Sequence, residues 1–573
     1  MTKRLRQLGL VAAVGAVAAV GASPGAGAHQ AGPPRIGMVC TTGPVFDLVA
    51  KTGHVETPDG NSVLMWSYAD AGAGGRFQSP GPVMCVSEGD TVTVNLHNDL
   101  SEPVSIVFPG QQGVTATGSP GLLTGEAPAG GNASYTFVAA HPGTYLYESG
   151  SDQSKQVEMG LYGALVVRPA GHPDRAYDSA SQFDPAREYL LLLSEIDPDL
   201  HHAVEKGDTY DFNKLRSRYF AINGRELPDT IQDNGVSWLP AQPYGALVRV
   251  KPYDSARNPL PALIRMVNAG ALNHPFHPHG NHVRVIAHDG RLLRSPAGAD
   301  ASSEHFGDVI GSGQTADMLF KWTDQDSWDA GSNPFPADAA PPSYRNMTFI
   351  DDNTWFSGSP YLGALGTLPT VVTRQGLCGE WYYPWHSHAL NEFTNFDEGF
   401  GGMATLLRVD PPGGCTGYAM STKILAGGQR SGDYTALGAT DSQYLQVNST
   451  TTGSRAADWY GGFTGVSTGS TNLRVRYVGR NCGTTSGACP ATAPVATAVS
   501  MWNWASNAWV QLGATTSVGP AGATITGAPP GAESDFIGTG ADRGQVRVRV
   551  RASGSPTSFV AQGDLLLITY DAA

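Results

Sequence analysis

Short runs in which apolar and polar residues alternate dominate the chain, separated by turn residues. Residues 91–96 set Val92, Val94 and Leu96 against polar neighbours after a Ser87-Glu88-Gly89-Asp90 turn, the period-two signature of a half-buried β-strand. The pattern predicts further strands at 105–108, 134–138, 143–147 and 160–167. Residues 188–194 are apolar almost throughout, as in a strand covered on both faces. Strands follow at 220–222, ending in the Asn223-Gly224 turn, and at 245–251, 263–268 and 282–286, the last closed by Asp289-Gly290. Residues 323–369 read as a long Pro/Gly/Asp-rich loop, a surface insertion or a lid. The chain returns through 381–384 and 404–409, and beyond Cys415 strands recur at 473–478, 501–504, 509–512, 545–551 and 565–570. The expected fold class is all-β.

Composition supports that reading. Gly 72 and Pro 40 are abundant in 573 residues and charged residues make up only 15%, so the chain is rich in turns and poor in charge. A formal net charge of −14 argues against nucleic acid and against an anionic membrane surface as partners. Lys3, Arg4 and Arg6 precede an apolar run over 8–20 and the small-residue stretch Ala26-Gly27-Ala28, the pattern of a cleaved secretion signal. That run is too short to span a bilayer, so the expected product is secreted. Six cysteines in an exported chain read as disulfides. Pairing by proximity gives Cys40–Cys85, Cys378–Cys415 and Cys482–Cys489, of which only the last closes a short loop.

The chemistry concentrates in histidine. Five of the 15 histidines lie in two runs, His274-Pro275-Phe276-His277-Pro278-His279 and His386-Ser387-His388. On a strand, His-x-His puts both imidazoles on one face, so two such strands side by side converge His277, His279, His386 and His388 on one point. Four imidazoles suit copper, and suit tetrahedral zinc nearly as well. The plainer alternative is a set of packed polar side chains without metal.

These motifs resemble those of the multicopper oxidases, the laccase family. The first-domain resemblance lies in the order of a Glu-Gly-Asp strand, a Ser-Ile strand, His141-Pro142-Gly143-Thr144-Tyr145-Leu146-Tyr147 and residues 160–167. The second lies in His274, His277 and His279 at the spacing His-x-x-His-x-His, with His386-Ser387-His388 where the family has His-Cys-His, and Met403, displaced by an insertion, as the counterpart of its axial methionine. The resemblance implies two cupredoxin-like Greek-key β-sandwiches, at 29–170 and 186–412 after a signal at 1–28. A C-terminal β-sandwich over 420–573 lies outside it and looks like a jelly-roll accessory module of secreted bacterial proteins.

The departures from the family pattern bear on activity. Where the family carries first-domain ligands this chain has Val107, Pro109, Glu148 and Gly150, of which only Glu148 has a donor side chain. Ser387 replaces the cysteine, and Glu392 or Glu398 stands near the position of the lost later histidine. A serine hydroxyl cannot supply the copper–thiolate bond of a blue-copper centre, so ordinary laccase chemistry is not expected. The resulting expectation is a copper oxidoreductase with one or two ions, ligated by His277, His279, His386 and His388, with His274 as a further candidate. Glu148 and Tyr383 are the candidate catalytic groups, acting on a small molecule or dioxygen. The alternatives are a non-catalytic copper-binding or scaffold protein, and a metal-dependent hydrolase with Glu148 as base. A homo-oligomer is compatible with the sequence. Trp502, Trp504 and Trp509 read as core packing, or alternatively as a polysaccharide or cell-surface contact. Residues 546–551 alternate Val and Arg, giving one core face and one arginine row.

Overall fold

The computed structural model describes residues 36–253, 255, 258–323, 347–349, 373–375, 381–396, 401–410, 414–438 and 440–571. The signal segment, Cys378, Glu398 and most of the 323–369 loop lie outside them. Within the span read as a loop, Met347–Phe349 pairs antiparallel with Thr373–Gln375. Among the described residues no helix is long and apolar enough to cross a membrane.

The fold is all-β. Three pairs of facing sheets follow one another along the chain, each around its own apolar core. In the first pair, a sheet ordered Ser62–Asp70, Val45–Glu56, Thr91–Asn98, Asn132–Val138 faces one ordered Met84–Ser87, Tyr162–Arg168, Gly143–Glu148. Val92, Val94 and Leu96 are buried between them, as their alternation requires. The expected strand at 105–108 is a correction. Pro103 and Pro109 flank it, and only isolated bridges form, Val104 to Ala127 and Val107 to Glu148. Disulfides join Cys40 to Cys85 and Cys482 to Cys489, with Cα atoms 5.6 and 4.9 Å apart.

The second pair holds the histidine runs. One sheet is built on Glu188–Ile196, Ala262–Asn268, Thr315–Phe320 and Val283–His288, and the 188–196 strand is buried on both faces as read. The other is ordered Val248–Val250, Ala404–Val409, Trp381–Ser387, His274–Pro278, Asp308–Ile310. A shared apolar layer, including Val83, Leu146, Leu192 and Val267, joins first and second pairs. Beside it, fully buried Arg265 donates to Glu188 at 2.7 Å and to Thr144 at 3.0 Å, while Thr144 donates to Asp317 at 2.5 Å.

In the third pair, Val546, Val548 and Val550 enter the core and the arginines between them face outward. The tryptophans do not pack in that core. Met501 takes the inward position, so Trp502 points out beside its cross-strand neighbour Trp509.

Candidate metal site

The His274–Pro278 and Trp381–Ser387 strands run antiparallel, with Phe276 opposite Ser387, His277 opposite His386 and Pro278 opposite Trp385. That register decides the site. Phe276, Tyr383, Trp385 and His274 point into the core, and His277, His279, His386 and His388 take the other face. The run ends at Gly280, whose φ of +84° suits glycine; a Cβ there would stand 2.7 Å from the Trp322 and Tyr383 rings.

On the outer face the four imidazoles form a cluster with ring centroids 5.0 to 5.7 Å apart. Nε2 of His279 and Nε2 of His386 are 3.0 Å apart. Two nitrogens bound to one tetrahedral ion at about 2.0–2.1 Å would lie about 3.3 Å apart, so this pair already has the bite of a chelate. His386 Nδ1 contacts the Ser387 carbonyl at 2.7 Å, which fixes Nδ1 as the protonated nitrogen and leaves Nε2 its lone pair. Burial under Phe393, stacked at 4.3 Å, drives the His386 pKa down to about 4, with the neighbouring imidazoles adding to the effect. Desolvation also lowers His277 and His279. His277, His279 and His386 are therefore biased toward the neutral form that metal binding requires.

Among the described residues, no three His, Cys, Asp or Glu side chains gather their donor atoms tightly enough to hold one ion as they stand. Closing a cage on the His279–His386 pair requires rotation of His277 and His388. His388 is exposed and half-exposed His277 lines a concavity of about 340 Å3, so both rings have room to turn. With that adjustment the donor set fits copper or zinc. His282 and Phe306 line the same concavity. The spacing of His282, three residues past His279, lay outside the His-x-His pattern and gave no signal.

His274 stands apart from the other four. Its Nδ1 bonds Glu392 Oε2 at 2.8 Å and its Nε2 lies 3.2 Å from Glu195 Oε2, all three side chains being buried. Ser387 donates its hydroxyl to the same Glu392 oxygen, and the Ser387 N–H donates to the Met403 carbonyl at 3.0 Å. His274, Ser387, Glu392 and Met403 thus meet where the resemblance puts the mononuclear copper, but the donor set has no thiolate and both nitrogens of His274 are engaged. The bonds to Glu195 and Glu392 outweigh desolvation and raise its pKa to about 9, so it is an imidazolium held between carboxylates. A blue-copper ion does not fit. Glu195 was the residue missed: an acid inside the apolar stretch EYLLLLSEI was the available signal. Its Oε1 also accepts from the Ala271 and Leu272 N–H groups at 2.6 and 2.7 Å.

The two candidate catalytic groups lie elsewhere. Glu148 sits directly against Val107, so the two first-domain ligand stretches of the family pattern still meet, without their donors. Its carboxyl lines a separate cavity of about 590 Å3 with Glu158 and Glu195, and burial pushes it up to about 7. Tyr383 faces the core against Trp322, with ring centroids 4.9 Å apart, on the side of its strand away from His386. Tyr147 is buried and donates to the Pro82 carbonyl at 2.7 Å.

The fold is a set of paired β-sheets that carries four histidines on one face of two adjacent strands. Residues 70–172 match the family model described as multicopper oxidase. It is similar to copper resistance protein A of Escherichia coli, 34% identical over 27% of this chain and 25% of that protein. It is also similar to laccase-2 of Cryptococcus neoformans var. grubii, 32% identical over 22% and 21%. The match thus spans about a quarter or less of the length of these relatives. Among solved structures, the blue copper oxidase from Nitrosomonas europaea aligns over 63% of this chain and 85% of its own, at 19% identity and TM-score 0.43.

Proposed function

We propose that this is a secreted copper-binding protein of the multicopper oxidase type, an oxidoreductase with a reduced mono- or dinuclear site and no blue-copper relay. The observation that carries the reading is the His279–His386 pair, with Nε2 atoms 3.0 Å apart and His277 and His388 beside it on one sheet face. His279 and His386 would hold the ion first, and His277 and His388 would complete the shell. Copper bound there supplies one-electron chemistry to a small molecule or to dioxygen. Zinc is the alternative metal. The Ser387 carbonyl orients His386 by holding its Nδ1–H, and Phe393 shields that ring from water.

The separate cavity of Glu148 and the core-facing ring of Tyr383 favour a site without either as a direct participant, which weakens the hydrolase reading. Exposed His279 and His388 over a shallow concavity favour the second reading, a non-catalytic copper-binding protein. In both readings the C-terminal sandwich is a binding module for a polysaccharide or cell surface.

Metal content of copper-loaded protein is the test. One to two equivalents are expected, falling at least tenfold in His279→Ala and His386→Ala, with oxidase turnover falling in parallel. Less than about a tenth of an equivalent in the unaltered protein overturns the reading. Full copper without turnover on phenols or dioxygen selects the non-catalytic one.

A further inference from the structure

The outer face of the sheet ordered Ser421–Ala426, Arg455–Phe463, Val546–Ser555, Val495–Asn503, Ala508–Gln511 carries aromatic rings and cations in alternation. Trp502 and Trp509 are neighbours across two strands, with centroids 5.2 Å apart, and Tyr460 leans over to within 5.6 Å of Trp509. Arg547 stacks over Trp504 at 4.5 Å and Arg549 over Trp509 at 5.6 Å. Asp458, buried at the base, holds Arg549 Nε at 2.7 Å and stands 3.7 Å from Arg551 Nε. The rings are therefore fixed in place by cation–π contacts and an ion pair before any ligand arrives.

Charge on this face opposes that of the whole chain. Lys423, Arg547, Arg549 and Arg551 stand against Asp458 and, from a flanking turn, Asp542, on a protein whose formal net charge is −14. Lys423 and Arg551 are exposed, and Lys423 lies beside Tyr460 in the strand register. The Nε1 donors of Trp502 and Trp504 are shielded from water and have no acceptor among the described residues.

We infer that this face binds an acidic polysaccharide, one whose sugar rings stack on Trp502, Trp509 and Tyr460 while its carboxylates meet Arg547, Arg551 and Lys423. Pyranose C–H faces match flat, electron-rich rings, and a row of guanidinium groups beside them selects uronate over neutral sugar. The inference rests on the reading of this sandwich as a binding module and names its ligand class.

Affinity electrophoresis of the full chain through gels containing polygalacturonate or neutral hydroxyethylcellulose tests it. Retardation is expected in the polyuronate gel alone and should weaken as salt is raised. Trp509→Ala and the exposed-site double variant Lys423→Gln/Arg551→Gln should each weaken binding at least tenfold. The double variant leaves the core untouched, so loss of folding cannot account for its result. Equal retardation in the neutral gel, or insensitivity to the double variant, overturns the acidic-ligand assignment and leaves a binding module. No retardation in either gel overturns both.

Discussion

The two sides of one strand pair have opposite chemistry. On the outer side, His277, His279, His386 and His388 are held by few polar contacts, and those with shifted pKa values are driven toward the neutral form by desolvation. On the inner side, His274 is clamped by Glu195 and Glu392 and carries a proton. Facing carboxylates hold a histidine as a cation, whereas burial among other imidazoles keeps it neutral. Strand alternation alone sorts the five residues into these two environments.

The largest effect is expected on the inner side. Glu195→Ala leaves His274 with one carboxylate and strips the acceptor from two N–H groups, and should cost about 3–5 kcal/mol in urea unfolding. The same change should leave copper stoichiometry on the outer face intact if the two sides are independent. A fall in copper content without loss of fold would show them coupled.

Protonation should separate the two sides next. His274 has a folded pKa raised to about 9, so its contribution to stability is complete below about 6.5, the unfolded value, and is lost as pH rises through 9. His386 has a folded pKa lowered to about 4, so it subtracts stability as pH falls from about 6.5 through 4. Histidine NMR titration of metal-free protein should resolve both; two titrations near pH 6.5 would refute the contrast.

A smaller effect is expected from His386→Ala in metal-free protein, within ~1 kcal/mol by thermal unfolding, because that ring anchors no buried charge. The smallest is expected from Ser387→Cys. It restores a thiol but faces Glu392 and a His274 already bonded at both nitrogens, so no intense blue absorbance should develop on copper loading. A strong band would mean that His274 yields its carboxylates to metal.

Much of this was legible in order. The alternation at 91–96 and the continuous apolar run at 188–194 are buried as their patterns require. The 105–108 segment misled because its apolar residues lie between two prolines that prevent a continuous ladder. Trp502, Trp504 and Trp509 misled because a large aromatic suggests core, whereas strand parity had already assigned the inward position to Met501. Cys378 and Glu398 fall outside the described residues, so the third cysteine pairing has no structural account.

Sequence by itself determined the all-β class, the pairing of His277 with His279 and of His386 with His388 on common faces, and the absence of a thiolate at residue 387. These follow from local periodicity and residue chemistry. Only the tertiary structure decided that His277 stands opposite His386, that Glu195 comes from another sheet to hold His274, and that Glu148 opens on a different cavity. Each joins residues scores apart in sequence, and register and sheet packing have no local signature.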